Sequence, residues 1–279
     1  MDFSCYDPMG VGIATVSSVS MAMNILHLVV ISKMLSLKDR PYRWILIHIA
    51  LADIVTAFTL IAVHSCLPII PLINKLTSGV RPGLVLVTWP QYANYWIFLL
   101  ASIEQYYGIC KPLTHSVSSF VRNLKWILAL AWPLSFSYAV FIACMMHIDD
   151  SQSATFKKGF EIFDLIVRYA PLFLTAIPLT MMLKELNSMR LRHVTGDERQ
   201  MRKASIYLIT IYLIFTCLSL VDLTITIMRS INRTLISAYV RRLRNAPIAV
   251  NGIANTMVYG VRSRAYRRQL IRTFCKKEN

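Results

Sequence analysis

Long apolar runs separated by short basic segments dominate the chain. An apolar run of about 20 residues is long enough to cross a bilayer as a helix. The candidate spans are Val11–Ser32, Trp44–Cys66, Pro82–Ile103, Trp126–His147, Gly159–Leu183, Ala204–Met228 and Asn245–Val261, and only the last falls short of this length. The connections between them are too short for an inserted soluble domain. The pattern predicts an all-α membrane protein in which residues 1–262 form one seven-transmembrane helix bundle.

Two of these runs are less regular than the others. Asp164 and Arg168 interrupt the fifth run. The seventh is the shortest, because Arg241 and Arg244 precede its uncharged part, and residues 235–240 would have to supply its outer turns. Kinks are predicted at prolines inside the spans, namely Pro90, Pro171 and Pro178.

The basic residues predict the orientation of the bundle. The chain carries 30 lysines and arginines and a formal net charge of +16. If the N-terminus lies outside, about twenty of these residues fall in inner segments and about nine in outer segments, as the positive-inside rule requires. This distribution favours an anionic membrane face over nucleic acid as the partner of the basic charge. We expect a multi-pass plasma-membrane protein with its N-terminus outside.

A basic amphipathic segment follows the seventh run. Tyr266, Leu270 and Phe274 repeat every four residues, and arginines fill the positions between them. Residues 263–279 are therefore predicted to form a short cytosolic eighth helix and tail that bind membrane lipid. Cys275, at the end of this helix, is a candidate for palmitoylation, and an unmodified thiol is the equal alternative.

Polar residues near the middle of four runs are the first candidate site. They are Asn24, Asp53, Asn94, Asn251 and Asn255. Side chains of this kind are costly in hydrocarbon, so they usually face the bundle interior. One carboxylate among four amides predicts either a site for a sodium ion or interhelical hydrogen bonding without an ion. No other cofactor is expected.

Charged residues in the outer half form a second candidate site. Arg168, Asp222 and Arg241 are candidate ligand contacts; for Arg168 and Asp222 the alternative is a rim charge or a mutual ion pair. Arg241 and its basic neighbours would favour an acidic or lipid ligand, whereas the alternative is a helix end with solvated arginines. Asn232 begins an Asn-Arg-Thr sequon in the last outer loop and is a candidate for glycosylation. The sequence shows no Ser/His/Asp or metal-ligand constellation, so an enzyme is not expected.

Taken in order, these residues resemble the rhodopsin-like (class A) G protein-coupled receptors. The matching positions are Asn24, Leu51-Ala52-Asp53, Glu104-Gln105-Tyr106 with Pro112-Leu113, Trp132 with Ser135, Phe215, and Asn255-Thr256-Met257-Val258-Tyr259. The resemblance implies a receptor for an extracellular ligand with a heterotrimeric G protein as its partner. It assigns coupling and switching to Glu104, Gln105, Tyr106, Asn255 and Tyr259.

The chain also departs from the pattern of that family. Gln105 replaces the family arginine, Thr256 replaces a proline, and Ser219 replaces the sixth-helix tryptophan. The family's amine receptors keep an acid at the position of Val87, so a typical biogenic amine is not expected. No cysteine lies near Val80 to form the family's usual disulfide. Three cysteines near the outer face could pair otherwise: Cys5, Cys66 and Cys144.

These departures leave alternatives open. The missing disulfide and the short loops favour the melanocortin, adenosine and cannabinoid branch. The loss of the arginine favours a receptor-like scaffold or decoy that does not couple. A transporter or channel is disfavoured, since no internal repeat is found.

Overall fold

The computed structural model describes the chain as helices joined by short segments. Its described residues are 8–34, 41–64, 82–111, 114–115, 118–148, 154–189, 196–231, 245–263 and 264–274. The helices in these ranges are α1 (Pro8–Lys33), α2 (Tyr42–His64), α3 (Pro82–Cys110), α4 (Ser119–Ile148), α5 (Ala154–Met189), α6 (Gly196–Ile231), α7 (Asn245–Arg262) and α8 (Arg264–Phe274). The predicted all-helical fold is confirmed.

Helix length and apolarity identify five membrane-span candidates among the described residues. They are Pro8–Lys33, Tyr42–His64, Ser119–Met145, Lys158–Ser188 and Ile209–Met228. The predicted third and seventh spans correspond to α3 and α7, which are helical but are not among these five. The helices run through the prolines that the sequence places inside α3 and α5.

The third helix is the centre of the bundle. It packs against α2, α4, α5 and α6. Its inward side chains are aromatic: Phe98 stacks on Phe215 of α6 with ring centroids 4.5 Å apart, and Tyr95 contacts the same ring. A helix surrounded by other helices needs less apolar surface than one that faces lipid. This position accounts for the polar residues that α3 carries.

The outer helices turn large apolar side chains away from the bundle. On α4, Trp126, Leu130 and Leu134 follow each other every four residues, and each is more than half exposed. Residues at this spacing lie on one helical face. A stripe of this kind is unfavourable in water and is typical of a face that contacts lipid.

The remaining helices close the bundle around α3. Helix α7 packs against α1, α2 and α6, and α8 contacts α1 and α7. Ser263 caps α8, because its hydroxyl accepts a hydrogen bond from the backbone N–H of Tyr266 at 3.2 Å. Tyr266 is buried, and its hydroxyl lies 3.1 Å from Nδ1 of His27 on α1. Burial raises the pKa of Tyr266 to about 12, so this hydroxyl stays neutral at physiological pH.

Candidate functional site

Asp53 is the centre of a buried polar cluster that joins three helices. Its carboxylate accepts a hydrogen bond from Asn94 Nδ2 of α3 at 3.1 Å and from Asn255 Nδ2 of α7 at 2.6 Å. All three side chains are at most 4% exposed. Hydrogen bonds to a buried carboxylate are among the stronger ones in proteins. The structure therefore brings these three predicted site residues together on α2, α3 and α7.

Asn24 belongs to the same region but contacts the backbone of α7. Its amide nitrogen donates to the carbonyl oxygen of Gly252 at 3.0 Å and to that of Ser20 at 2.9 Å. Its amide oxygen accepts from Thr256 Oγ1 at 3.3 Å. Thr256 stands where the resembled family has proline. A proline has no hydroxyl, so this contact between α7 and α1 depends on the threonine.

Gly252 allows α7 to approach α1 and α2 closely. A Cβ at this position would overlap Ser20 Oγ and would lie 3.2 Å from Asn24 Nδ2 and 3.3 Å from Asp53 Cβ. We expect Gly252→Ala to push the helices apart and to destabilise the protein by about 1–3 kcal/mol. The readout is the thermal unfolding midpoint of the purified protein. The matched control is Gly12→Ala on α1, where a Cβ would meet nothing within 4 Å; equal midpoints for the two variants would contradict the close packing.

Several oxygen atoms of the cluster have no hydrogen-bond partner among the described residues. They are Thr56 Oγ1, Asn94 Oδ1, Asn251 Oδ1 and Asn255 Oδ1. All four side chains are at least nine-tenths buried, and buried polar atoms in proteins are nearly always satisfied by protein, water or an ion. Thr56, Asn94 and Asn251 line one cavity together with Asp53, so these residues offer a set of oxygen atoms from one carboxylate and three neutral groups. Such a set suits a hard cation rather than a transition metal.

Metal sites built from several histidine, cysteine or acidic side chains were also considered. Within the part of the chain that the structure describes, no group of three His, Cys, Asp or Glu side chains is placed to hold a metal ion.

A small cavity of about 30 Å³ adjoins this cluster, between α2, α3, α6 and α7. Its wall includes the polar residues Asp53, Thr56, Gln91, Asn94, Asp222 and Asn251. Tyr95 and Phe215 add aromatic surface to it. Asn251, which was predicted to join the polar cluster, lines this cavity together with Asp53, and its amide oxygen has no hydrogen-bond partner among the described residues.

A second buried network connects α3, α4 and α5. Arg168 donates to the Asp164 carboxylate one helical turn away. The hydroxyls of Tyr92 (3.1 Å) and Tyr138 (3.2 Å) donate to the same carboxylate. Arg168 also lies over the ring of Tyr92, with 5.4 Å between guanidinium carbon and ring centroid.

This network corrects one expectation from the sequence. Arg168 is not a rim charge, because it is 5% exposed, and it forms a salt bridge with Asp164, a partner that the sequence analysis did not propose. Asp222 is 2% exposed, and its carboxylate accepts from Tyr169 at 2.6 Å. The interpretation of these two residues as rim charges is therefore wrong.

Trp132 joins the helices on the other side of α3. Its indole nitrogen donates to Nδ1 of His48 on α2 at 3.0 Å. Its backbone carbonyl accepts from Trp89 Nε1 of α3 at 3.1 Å. Trp132 thus connects α2, α3 and α4 in the region that the family motif singles out.

The end of α3 carries a different kind of contact. Glu104 is 4% exposed, and one oxygen of its carboxylate accepts from the neighbouring Gln105 side chain. Its other oxygen lies 3.2 Å from Nε2 of His115, in the segment after α3. Tyr106 packs against Tyr107. Where the resembled family pairs this acid with an arginine, Glu104 here is satisfied by an amide and an imidazole.

Some predicted sites lie outside the described residues. These are Cys5, Cys66, Asn232, Arg241 and Cys275. Tyr259 lies in α7, but its side chain is also outside the described part. Cys144, predicted to be near the outer face, is a free thiol.

Sequence reasoning missed three side chains that contact buried carboxylates, namely His115, Tyr92 and Tyr138. His115 carries no motif, so nothing in the sequence pointed to its contact with Glu104. The tyrosines around Asp164 lie on other helices and could not be paired with it before packing was known. Asp164 and Arg168 did carry a signal, because acid and base four residues apart lie on one helical face.

Comparison with known proteins adds a limited similarity. No family model matches the chain. A stretch of 47 residues, 17% of this chain, is 38% identical to Nematocin receptor 2 of Caenorhabditis elegans and covers 12% of that protein. The chain thus matches about an eighth of the relative's length. That relative is a receptor by name, and five helices of the present chain are long and apolar enough to cross a membrane.

Proposed function

We propose that the chain is a seven-helix receptor of the rhodopsin-like class that transmits an outside ligand signal to a heterotrimeric G protein. The ligand binds in the outer half of the bundle, and the inner ends of α3 and α7 contact the G protein. The observation that carries the proposal is the continuous set of buried polar contacts around Asp53. These contacts join the wall of the cavity to α2, α3 and α7, and Asn24 of α1 bonds in turn to α7, so a change in the cavity would alter helix packing.

The topology follows from the same reasoning. The chain crosses the plasma membrane seven times with its N-terminus outside, and α8 lies on the inner lipid surface with its arginines towards anionic headgroups. Arg264, Arg267, Arg268 and Arg272 are all exposed on α8, which suits that position. No enzymatic activity and no nucleic-acid partner are proposed.

In this proposal a contact at the end of α3 stabilises the inactive state, which we call the inactive lock, although position 105 is glutamine and not arginine. Glu104 and His115 hold the end of α3 to the following segment, in place of the acid–arginine pair of the resembled family. The His115 side chain is 23% exposed, so a G protein that engages this surface can displace it.

Sodium is the proposed ion of the polar cluster, held by the Asp53 carboxylate with the oxygens of Thr56, Asn94 and Asn251. When bound, it would supply a positive charge beside a buried carboxylate. We expect sodium chloride to raise the thermal unfolding midpoint above that in potassium chloride of equal ionic strength. At ten times Kd the stabilisation is about 1.4 kcal/mol. Asp53→Asn should abolish the difference in unfolding midpoint between the two salts. A difference that persists in that variant would show that sodium does not bind at Asp53.

The test of the receptor function is G protein dissociation in cells that display the protein at their surface. We expect the wild type to give basal or ligand-driven dissociation for at least one G protein class. The companion variant is Gln105→Arg. No response from the wild type, with a response restored by Gln105→Arg, would overturn coupling by the natural chain.

A second function is favoured by the changes at the coupling end. Gln105 and Ser219 replace residues on which switching depends in the resembled family, and Gln105 is turned towards Glu104. A non-coupling scaffold or decoy would keep the bundle and the ligand site but would not activate a G protein. A silent wild type that still reaches the cell surface and binds ligand would support this function.

A further inference from the structure

We propose that α1 holds α8 and the inner end of α7 in the arrangement that they have without a G protein, and that Thr256 and Tyr266 are the positioning residues of these two helices. The part of the inference that concerns coupling rests on the proposed receptor function. The part that concerns the docking of α7 and α8 on α1 does not depend on it.

One face of α1 is polar, although α1 is apolar enough to cross a membrane. Between positions 17 and 27 its buried side chains are Ser17, Ser20, Asn24 and His27, each at most 4% exposed. They are three or four residues apart, so they lie on one helical face. Polar groups inside a membrane bundle need hydrogen-bond partners on neighbouring helices. Asn24 and His27 find such partners on α7 and α8.

Asn24 contacts α7 at two successive turns. Its amide nitrogen donates to the carbonyl oxygen of Gly252 at 3.0 Å, and its amide oxygen accepts from Thr256 Oγ1 at 3.3 Å. The first bond uses a backbone carbonyl, which any residue at position 252 would supply. The second uses a hydroxyl, and Thr256 is 5% exposed. Thr256 is therefore the side chain of α7 through which this position on α1 is selected.

Tyr266 connects α8 to the same face of α1. Helix α8 has 11 residues, and Tyr266 is the one buried side chain among its described residues. Isolated helices shorter than about 12–15 residues are marginally stable in water, so α8 depends on its surroundings. The Tyr266 hydroxyl lies 3.1 Å from Nδ1 of His27, and the two ring centroids are 5.2 Å apart. Ile271 and Phe274 are more than half exposed, so the contact of α8 with the bundle is centred on Tyr266.

The two contacts act on one structural unit. Asn24 and His27 are three residues apart on α1, so the contacts with α7 and α8 are about one turn apart. Helix α7 ends at Arg262 and α8 begins at Arg264, so a single residue separates them. Two helices joined so closely cannot move far independently. We therefore expect α1 to position α7 and α8 together.

These contacts favour the arrangement in which they are formed. A G protein shifts an equilibrium between two arrangements only through its different affinities for them. A hydrogen bond that is present without the G protein and broken on coupling opposes coupling, so its removal raises basal exchange. Single interhelical hydrogen bonds in membranes change such equilibria by about threefold on average.

The first experiment is amide hydrogen exchange, followed by mass spectrometry, on the purified full-length protein in lipid nanodiscs without a G protein. Tyr266→Phe should raise the exchange rate of the amides of α8 by about threefold, because it removes the hydroxyl and keeps the ring. Thr256→Val should do the same for the inner half of α7. The matched control is Tyr212→Phe, which removes a buried hydrogen bond of 2.6 Å from α6 to the carbonyl oxygen of Leu172 on α5 and should leave α7 and α8 unchanged.

The second experiment is basal nucleotide exchange on purified G protein by the same nanodisc samples. Thr256→Val and Tyr266→Phe should each raise the basal rate by about threefold. Thr256→Ser keeps a hydroxyl and should stay at the wild-type rate. Thr224→Val is the control for loss of a threonine, because Thr224 is exposed and donates to the backbone of its own helix. A purely structural role would lower the unfolding midpoint without raising basal exchange.

Two outcomes would overturn the inference. Unchanged amide exchange of α7 and α8 in both variants would show that these contacts do not hold the two helices. Faster amide exchange without faster nucleotide exchange, for a wild type that activates a G protein, would show that they do not oppose coupling. If Thr256→Val does not fold, Tyr266→Phe decides by the same criteria.

Failure of the receptor function would look different. In that case neither the wild type nor any variant activates a G protein, while the amide exchange of α7 and α8 still reports on the two contacts. Faster amide exchange in Tyr266→Phe would then support the docking of α8 on α1 in a chain that does not couple.

Discussion

Asp164→Ala should destabilise the protein by about 3–5 kcal/mol, because it leaves the Arg168 guanidinium buried without its salt-bridge partner. Both residues are 5% exposed, and the same carboxylate also accepts from the hydroxyls of Tyr92 and Tyr138. The alanine removes one charge and three hydrogen bonds together. The measurement is the thermal unfolding midpoint of the purified protein, with its surface expression in cells.

The control for this prediction removes both charges. Asp164→Asn with Arg168→Met keeps an acceptor for the tyrosines and removes both partners of the salt bridge, so it should recover much of the lost stability. Arg168→Met alone should be destabilising, because it leaves the carboxylate buried. A double variant no more stable than Asp164→Ala would contradict a salt bridge as the cause.

His115→Ala should raise basal nucleotide exchange by about tenfold, which corresponds to about 1.4 kcal/mol. The imidazole lies 3.2 Å from a carboxylate that is itself 4% exposed, and hydrogen bonds to charged groups contribute about 1.5–3 kcal/mol. Its loss frees Glu104 from the segment after α3 and favours the arrangement open to a G protein. The measurement is exchange on purified G protein by reconstituted receptor.

The neighbouring residue supplies the matched control for this variant. Thr114 is exposed and lies in the same short segment. Thr114→Ala should leave basal exchange unchanged. If His115→Ala and Thr114→Ala gave the same exchange rate, the contact with Glu104 would not be the inactive lock.

The sequence predicted the helices well because apolarity over about 20 residues is a strong constraint in a bilayer. It also predicted that Asp53, Asn94 and Asn255 would approach each other. Polar groups in hydrocarbon must find partners, and the interior of the bundle is where partners are available. These expectations needed only the pattern along the chain.

The partners of particular side chains could not be predicted in this way. The spacing of four residues put Asp164 within reach of Arg168 on one helix, but the hydrogen bonds of Tyr92 and Tyr138 to the same carboxylate depend on the packing of α3 and α4 around α5. Gly252 carried no signal, since its role is to make room for Asn24 and Asp53 on other helices. Asp222 faces the cavity inside the bundle, and this could not be predicted either, because it depends on how α6 is rotated and not on residue spacing.

The most direct test of the central claim is nucleotide exchange by the wild-type protein, reconstituted in lipid nanodiscs with a panel of purified heterotrimeric G proteins. The account predicts exchange above the rate of empty nanodiscs for at least one G protein, with a further rise in His115→Ala. Exchange equal to that of empty nanodiscs for the wild type and for His115→Ala, together with clear exchange by Gln105→Arg, would contradict it.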